Sequence, residues 1–270
     1  MAEETTTKKK KKPEEEKEMS FWEHLEELRW HLVRSIIAIV ILAVVAFLNR
    51  NIIFDQIILA PKDSSFITNR FLCYLSEYLN LQGLCIDDLK LNIINIKMSG
   101  QFMTHMMVSI VAGIIVAFPY IIWEVWSFVR PALYPTERKY STGAVLVSSV
   151  LFVLGVLFAY FLIVPLTVNF LGTYQVSAAV PNQVALTSYI STVVSVTLGV
   201  GVVFELPIFV YFLTKVGLLT PDFMRKNRKY MIVVLLILSA IITPPDVFSQ
   251  ILVVIPLWGL YELSISISRR

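Results

Sequence analysis

The stretch MIVVLLILSAII, Met231 to Ile242, is uncharged and apolar, and it sits between the basic run Arg225-Lys226-Asn227-Arg228-Lys229 and the breaker Thr243-Pro244-Pro245-Asp246. At about 1.5 Å of rise per residue it makes a helix of roughly 18 Å, and extending it from Tyr230 to Pro245 reaches only about 24 Å. A hydrocarbon core is about 30 Å thick, so neither length fills it. The next apolar run, Val247 to Ile267, resumes after a turn too tight to hold a folded loop. The two runs therefore read as a short hairpin that crosses the bilayer and returns, which implies a membrane thinned or locally open to water at that place.

Working outward, composition sets the class. Hydrophobic residues make up 56% of the chain and charged residues 16%, and nothing from Tyr140 to Phe204 carries a charge. A soluble domain does not expose such a stretch, so the chain reads as a polytopic membrane protein. The expected spans are Leu32 to Leu48, Phe102 to Phe128, Ala144 to Leu166, Ser188 to Leu213, Tyr230 to Ile242 and Val247 to Ile267. The expected fold is all-α, a bundle of six transmembrane helices with the last two short. The first apolar run follows a long charged tail and precedes further spans, so no cleavable signal sequence is expected.

An even number of spans puts both termini on one side, and the cations say which. Eighteen of the 23 lysines and arginines fall in the tail, the second and fourth connections and the C-terminus; only Arg50, Lys62, Arg70, Lys90 and Lys97 fall opposite. By the positive-inside rule both termini are cytoplasmic, with the bilayer itself as a partner. The net charge of +3 thus reflects orientation, and nucleic acid is not an expected partner.

The connections differ in kind. Residues 1–18 form a Lys block followed by a Glu-rich block with nothing apolar to bury, a disordered tail preceding one membrane domain over 19–270. The outer connection at 49–100 holds both cysteines, Cys73 and Cys85, on the side where disulfides persist. Two readings stay open for them: a bridge, or packed thiols on an amphipathic segment with Phe71, Leu72, Leu75 and Leu79. The outer connection from Thr167 to Thr187 is uncharged and suits a segment lying in the interface.

Sequence signatures of enzymes are absent. His24 and His31 stand seven apart, His105 is alone, and there is no HExxH or paired CxxC, so no metal site and no cofactor are expected. There is no GxSxG motif or phosphate-cradling glycine loop either. The chain is expected to bind and transport without catalysing a reaction.

Acids in unusual places remain. Ser20 to Leu32 opens with a capping-box pattern, Ser20 followed by Glu23, and runs as an amphipathic helix into the first span with Glu27 and Arg29 near the membrane boundary. Taken alone, Glu27 reads as half of a helix-face ion pair with Arg34 or His31. In Phe128 to Lys139, Pro131 and Pro135 stiffen a loop that presents Glu137 among cations. Glu205 lies well inside the fourth run, two residues before Pro207. A charged acid near the bilayer centre costs about 2.5–3.5 kcal/mol, so Glu205 is expected to face a polar cavity or a partner, or to be protonated. A proton-coupled small-molecule permease using Glu205 is the alternative these residues allow, although it leaves Glu27 and Glu137 without a role.

The stretches HLEELR (His24 to Arg29), FVRPALYPTER (Phe128 to Arg138), FELP (Phe204 to Pro207) and TPPDVFSQ (Thr243 to Gln250) resemble the TatC family, the six-span receptor subunit of the twin-arginine protein translocase. The resemblance runs in order from about Met19 to the end. It implies export of folded proteins, driven by the protonmotive force, through recognition of signal peptides with consecutive arginines. It also implies single-span partners of the TatA and TatB type docked on the last two helices, and self-association in a larger complex. Carried onto this chain, it makes Glu27 and Glu137 the acceptors for the arginine pair, with Arg29, Phe128, Pro131, Leu133 and Arg138 around them. Glu205 matches the family's intramembrane acid; Pro61, Asp246 and Gln250 match its outer polar cluster and partner contact. The chain departs from the family at His31, where a strongly basic residue is usual, and in the length of the loop holding the cysteines.

Overall fold

The structure, a computed structural model of the chain, describes residues 21–63, 65–79, 91–130, 141–177, 179, 182–215, 217–244 and 247–268. The expected tail at 1–18 lies outside them, as do Pro131, Leu133, Glu137, Arg138, Asp246 and Cys85 among the expected site residues.

The architecture is helical throughout. Helix α1 (Phe21–Leu48) is continuous, so the expected amphipathic segment and first span are one rod. A π-helical turn (Ile52–Ile58) and a 3-10 turn (Ala60–Lys62) lead to α2 (Ile67–Leu79), and β1 (Asn92–Ile94) precedes the second span, α3 (Gly100–Val129). The third span is α4 (Ser141–Phe158), which passes through a π turn (Ala159–Ile163) into α5 (Val164–Thr173). After β2 (Gln183–Ala185), the fourth span is α6 (Leu186–Val203) followed by α7 (Leu206–Lys215). Short α8 (Pro221–Lys226) leads to α9 (Arg228–Ile242) and α10 (Val247–Ser268).

Five of these rods are long and apolar enough to cross a membrane. The other traverse, α9, has 15 residues and reaches about 22 Å, short of the core as its sequence predicts. The last helix differs from expectation: α10 has 22 residues and reaches about 33 Å, so of the final pair only α9 is short.

The third and fourth spans form the centre, with Ile163, Val164, Ile190, Val196 and Val200 fully buried. The fourth span also packs on α3, α9 and α10. At the opposite extreme α1 lies at the edge, packed chiefly along α3, with most of its apolar surface left for lipid. Gly113 allows that pairing: a Cβ there would sit 2.8 Å from the backbone of Ile39 and Ala43. Small residues let helices approach this closely in a bilayer, where apolar burial gives little drive.

One feature was not expected from the sequence. Strands β1 and β2 pair in parallel, Asn92 to Gln183 through Ile94 to Ala185, and join the connections that follow the first and third spans. The uncharged connection after the third span thus enters a sheet instead of lying freely in the interface.

Candidate functional site

Helix α1 carries two stripes at the face that bears the N-terminus. Leu25, Leu28 and Leu32 are exposed, as suits a lipid-facing stripe. The polar stripe His24, Glu27 and His31 turns inward to the end of α3, where apolar contact would be the rule in a soluble bundle. The His24 ring stacks on Phe128 with centroids 4.3 Å apart at 15°, and the His31 ring meets Phe128 edge-on at 6.1 Å.

Between those rings lies Glu27. Its Oε2 is 3.9 Å from His24 Nδ1, within ion-pair range and too far for a hydrogen bond. That oxygen is buried and meets no donor among the described residues. The expected pairing with Arg34 or His31 does not form, because His31 is taken elsewhere: its Nδ1 donates to Glu124 Oε2. Tyr120 donates to the other oxygen, Oε1, at 2.6 Å, and Glu124 is only 1% exposed. Arg29 is exposed beside this face.

Glu124 is the site residue that sequence reasoning missed. The signal was present: a single carboxylate inside the otherwise uncharged run Phe102 to Phe128. An acid at membrane depth must have a partner, and that rule alone would have marked it.

A second polar site lies deeper. Phe204 and Glu205 form the break between α6 and α7, which Pro207 requires because it has no N–H for the Val203 carbonyl. Ser148 of α4 donates to Glu205 Oε2, while Oε1 is buried without a partner among the described residues. The cavity beside it, about 240 Å³, is lined by Ile122, Val125, Trp126, Ile208, Phe209 and their neighbours. Of the three expected settings for Glu205, the polar cavity is not what forms: Ser148 and Glu205 stand in an apolar one, and the other two, a partner or protonation, stay open.

At the other face, Pro61 is buried in the 3-10 turn, which packs on α5. The Pro61 and Asp63 carbonyls accept from Asn69 Nδ2 at 3.3 and 2.8 Å. Thr167 of α5 and Ser249 of α10 share a hydrogen bond of 2.7 Å, and Gln250 Nε2 donates to the Leu236 carbonyl of α9 at 3.0 Å. Gln250 thus ties the final hairpin together. Cys73 on α2 is disulfide-bonded. Among the described residues no group of three His, Cys, Asp or Glu is placed to hold a metal ion.

These features define a polytopic α-helical membrane protein with an acidic, ring-lined site at one face and a carboxylate at a helix break within the bilayer. The sequence model described as Sec-independent protein translocase protein (TatC) matches residues 23–256, and the chain belongs to that family. The TatC of Blattabacterium sp. subsp. Periplaneta americana is 42% identical over 253 residues, 93% of this chain and 95% of the relative. That of Carboxydothermus hydrogenoformans is 36% identical, covering 94% of each chain. A crystal structure of a Twin Arginine Translocase Receptor, TatC, superposes with a TM-score of 0.66 at 34% identity, covering 92% of this chain and 98% of that one. None of these matches supports the permease alternative.

Proposed function

We propose that this chain is the membrane receptor of a translocase exporting folded proteins, and that Glu27, together with Glu137, accepts the paired arginines of a signal peptide. The observation that carries this reading is the Glu27 carboxylate oxygen, buried at the α1–α3 junction with no donor among the described residues. A buried acceptor without a donor costs about 1–3 kcal/mol, a deficit that an arriving guanidinium removes. Guanidinium presents a planar fork that matches a carboxylate, so two acids near one spot select two adjacent arginines over lysines. Phe128 and its stacked His24 offer the site a ring wall. Arg29, Pro131, Leu133 and Arg138 are assigned to the same recognition role, and the apolar part of the signal lies along the exposed face of α1.

In this reading the N-terminal face is cytoplasmic in the plasma membrane. The cation asymmetry supports that orientation, and so does the disulfide-bonded Cys73 on the opposite side, since disulfides persist in oxidising compartments. The chain has one other cysteine, and we assign the bridge to Cys73 and Cys85. Single-span Tat subunits dock on the final hairpin, and Pro61, Asp246 and Gln250 serve that contact at the outer side. Copies of the chain associate in a larger complex. The role is that of a receptor without chemistry of its own.

The test is site-specific crosslinking of a twin-arginine signal peptide to the inserted protein. Glu27→Gln and Glu137→Gln are each expected to abolish the adduct without changing the amount of protein in the membrane. Unchanged crosslinking in the double variant would overturn the assignment.

A further inference from the structure

Glu124 is a buried acid that signal recognition, as described so far, does not use. Both its oxygens are occupied, Oε1 by Tyr120 one turn earlier on the same helix and Oε2 by His31 across the interface. It has no oxygen free for a ligand. What it does instead, far from the polar link of His105 Nε2 with the Phe47 carbonyl at 3.1 Å, is join α1 to α3 at the end where Glu27 lies.

The geometry around that link is a ladder. Glu124 and Phe128 are four apart on α3, so they lie on one face a turn apart. His24, Glu27 and His31 likewise share one face of α1. His31 to Glu124 makes one rung, and the stacked His24 and Phe128 rings make the next. Glu27 lies between the rungs and has none of its own, which is why its Oε2 is held buried and without a donor.

We infer that Glu124 is a positioning residue of the receptor site: through His31 it fixes the rotation of α1 against α3 at which Glu27 meets a guanidinium. This rests on the proposal that Glu27 accepts a signal arginine. A planar fork is satisfied only when the carboxylate is held within a narrow angle, whereas a lysine ammonium tolerates a looser one. Loss of the rung therefore costs arginine more than lysine, and the preference between them is the quantity to follow.

The experiment uses the full-length protein in lipid nanodiscs and a labelled signal peptide carrying either paired arginines or paired lysines, with dissociation constants measured for both. Glu124→Gln is expected to lower the arginine preference about tenfold, the scale on which orienting partners act in defined sites. His31→Gln, which keeps a donor, is expected to retain most of the preference, and His31→Leu to lose it. The double variant His31→Leu, Glu124→Leu is expected to be no worse than the poorer single one, as for two residues acting as one unit. Should Glu124→Gln fail to fold, Tyr120→Phe removes one donor to the same carboxylate and is expected to shift the preference in the same direction. A purely structural role would lower thermal stability and leave the preference intact, and that result would overturn the inference. If Glu27→Gln abolishes the preference while the Glu124 and His31 variants leave it unchanged, only the positioning role is lost. If Glu27→Gln changes nothing, the recognition reading beneath it is lost.

Discussion

Glu205 shows what one side chain at a helix break can demand of its surroundings. Lys215 ends α7 ten residues later, which places the carboxyl group about 15 Å along the axis from that face. At such depth an ionised carboxylate costs about 2.5–3.5 kcal/mol, and Ser148 offers a donor to one of its oxygens. The unpartnered Oε1 and the adjoining apolar cavity suit a partner helix that brings a polar group. Glu205→Ala is expected to leave membrane insertion intact and to reduce export of a folded reporter, with Glu205→Gln milder because the amide keeps the shape and accepts from Ser148. Export at the wild-type level by Glu205→Ala would make the residue a mere neighbour of the Pro207 break. Glu205 was legible in the sequence because the oddity is local, an acid beside a proline in an apolar run. The His31–Glu124 pair was not, since it depends on the register of α1 against α3, which no stretch of either helix encodes by itself.

At the scale of elements, the third span shows how the fold accommodates a proline in lipid. Pro165 has no N–H for the Phe161 carbonyl, and the chain answers with a π turn at Ala159–Ile163 while Thr68 of α2 donates its hydroxyl to that carbonyl. An extramembrane helix is thereby pinned to a membrane span. Thr68→Val is expected to cost roughly 0.5–1.5 kcal/mol, read as a lower unfolding midpoint in detergent. The loss is expected to shrink when Pro165→Ala restores the helical donor; equal losses in both backgrounds would sever the link. The outer segment also carries the disulfide-bonded Cys73. If its partner is Cys85, the loop gains roughly 2–4 kcal/mol, and denatured, unreduced protein is expected to show no thiol reactive toward maleimide. Two labelled thiols would remove the bridge. The long spans were legible because an apolar run of that length has few alternatives, whereas β1 and β2 are three residues each and pair across about ninety residues of sequence. Patterns that short carry no period to read.

For the whole molecule, the arrangement of spans is uneven, and the unevenness bears on where a partner is expected to bind. The first span lies at one edge with Glu27, the proposed acceptor for a signal arginine, near its end, the fourth is central, and the fifth covers only about 22 Å. A helix that short must thin the bilayer, admit water, or share its polar ends with another protein. Gln250 already satisfies one end of the hairpin from within by donating to Leu236, yet Val234, Ile237 and Ile241 on α9 and Ile251 on α10 remain exposed. A single-span partner lying there would cover the apolar surface and bring the local thickness back toward that of the bilayer. Cysteines at Ile237, Ile241 and Ile251 are therefore expected to crosslink to single-span Tat subunits in native membranes. A cysteine at Ile41, exposed to lipid on the remote first span, is expected to give markedly less product. Comparable yields at Ile41 and at the hairpin positions would mean that partners contact the exposed apolar surface without preference, and the short fifth helix would then have to be explained by membrane thinning alone.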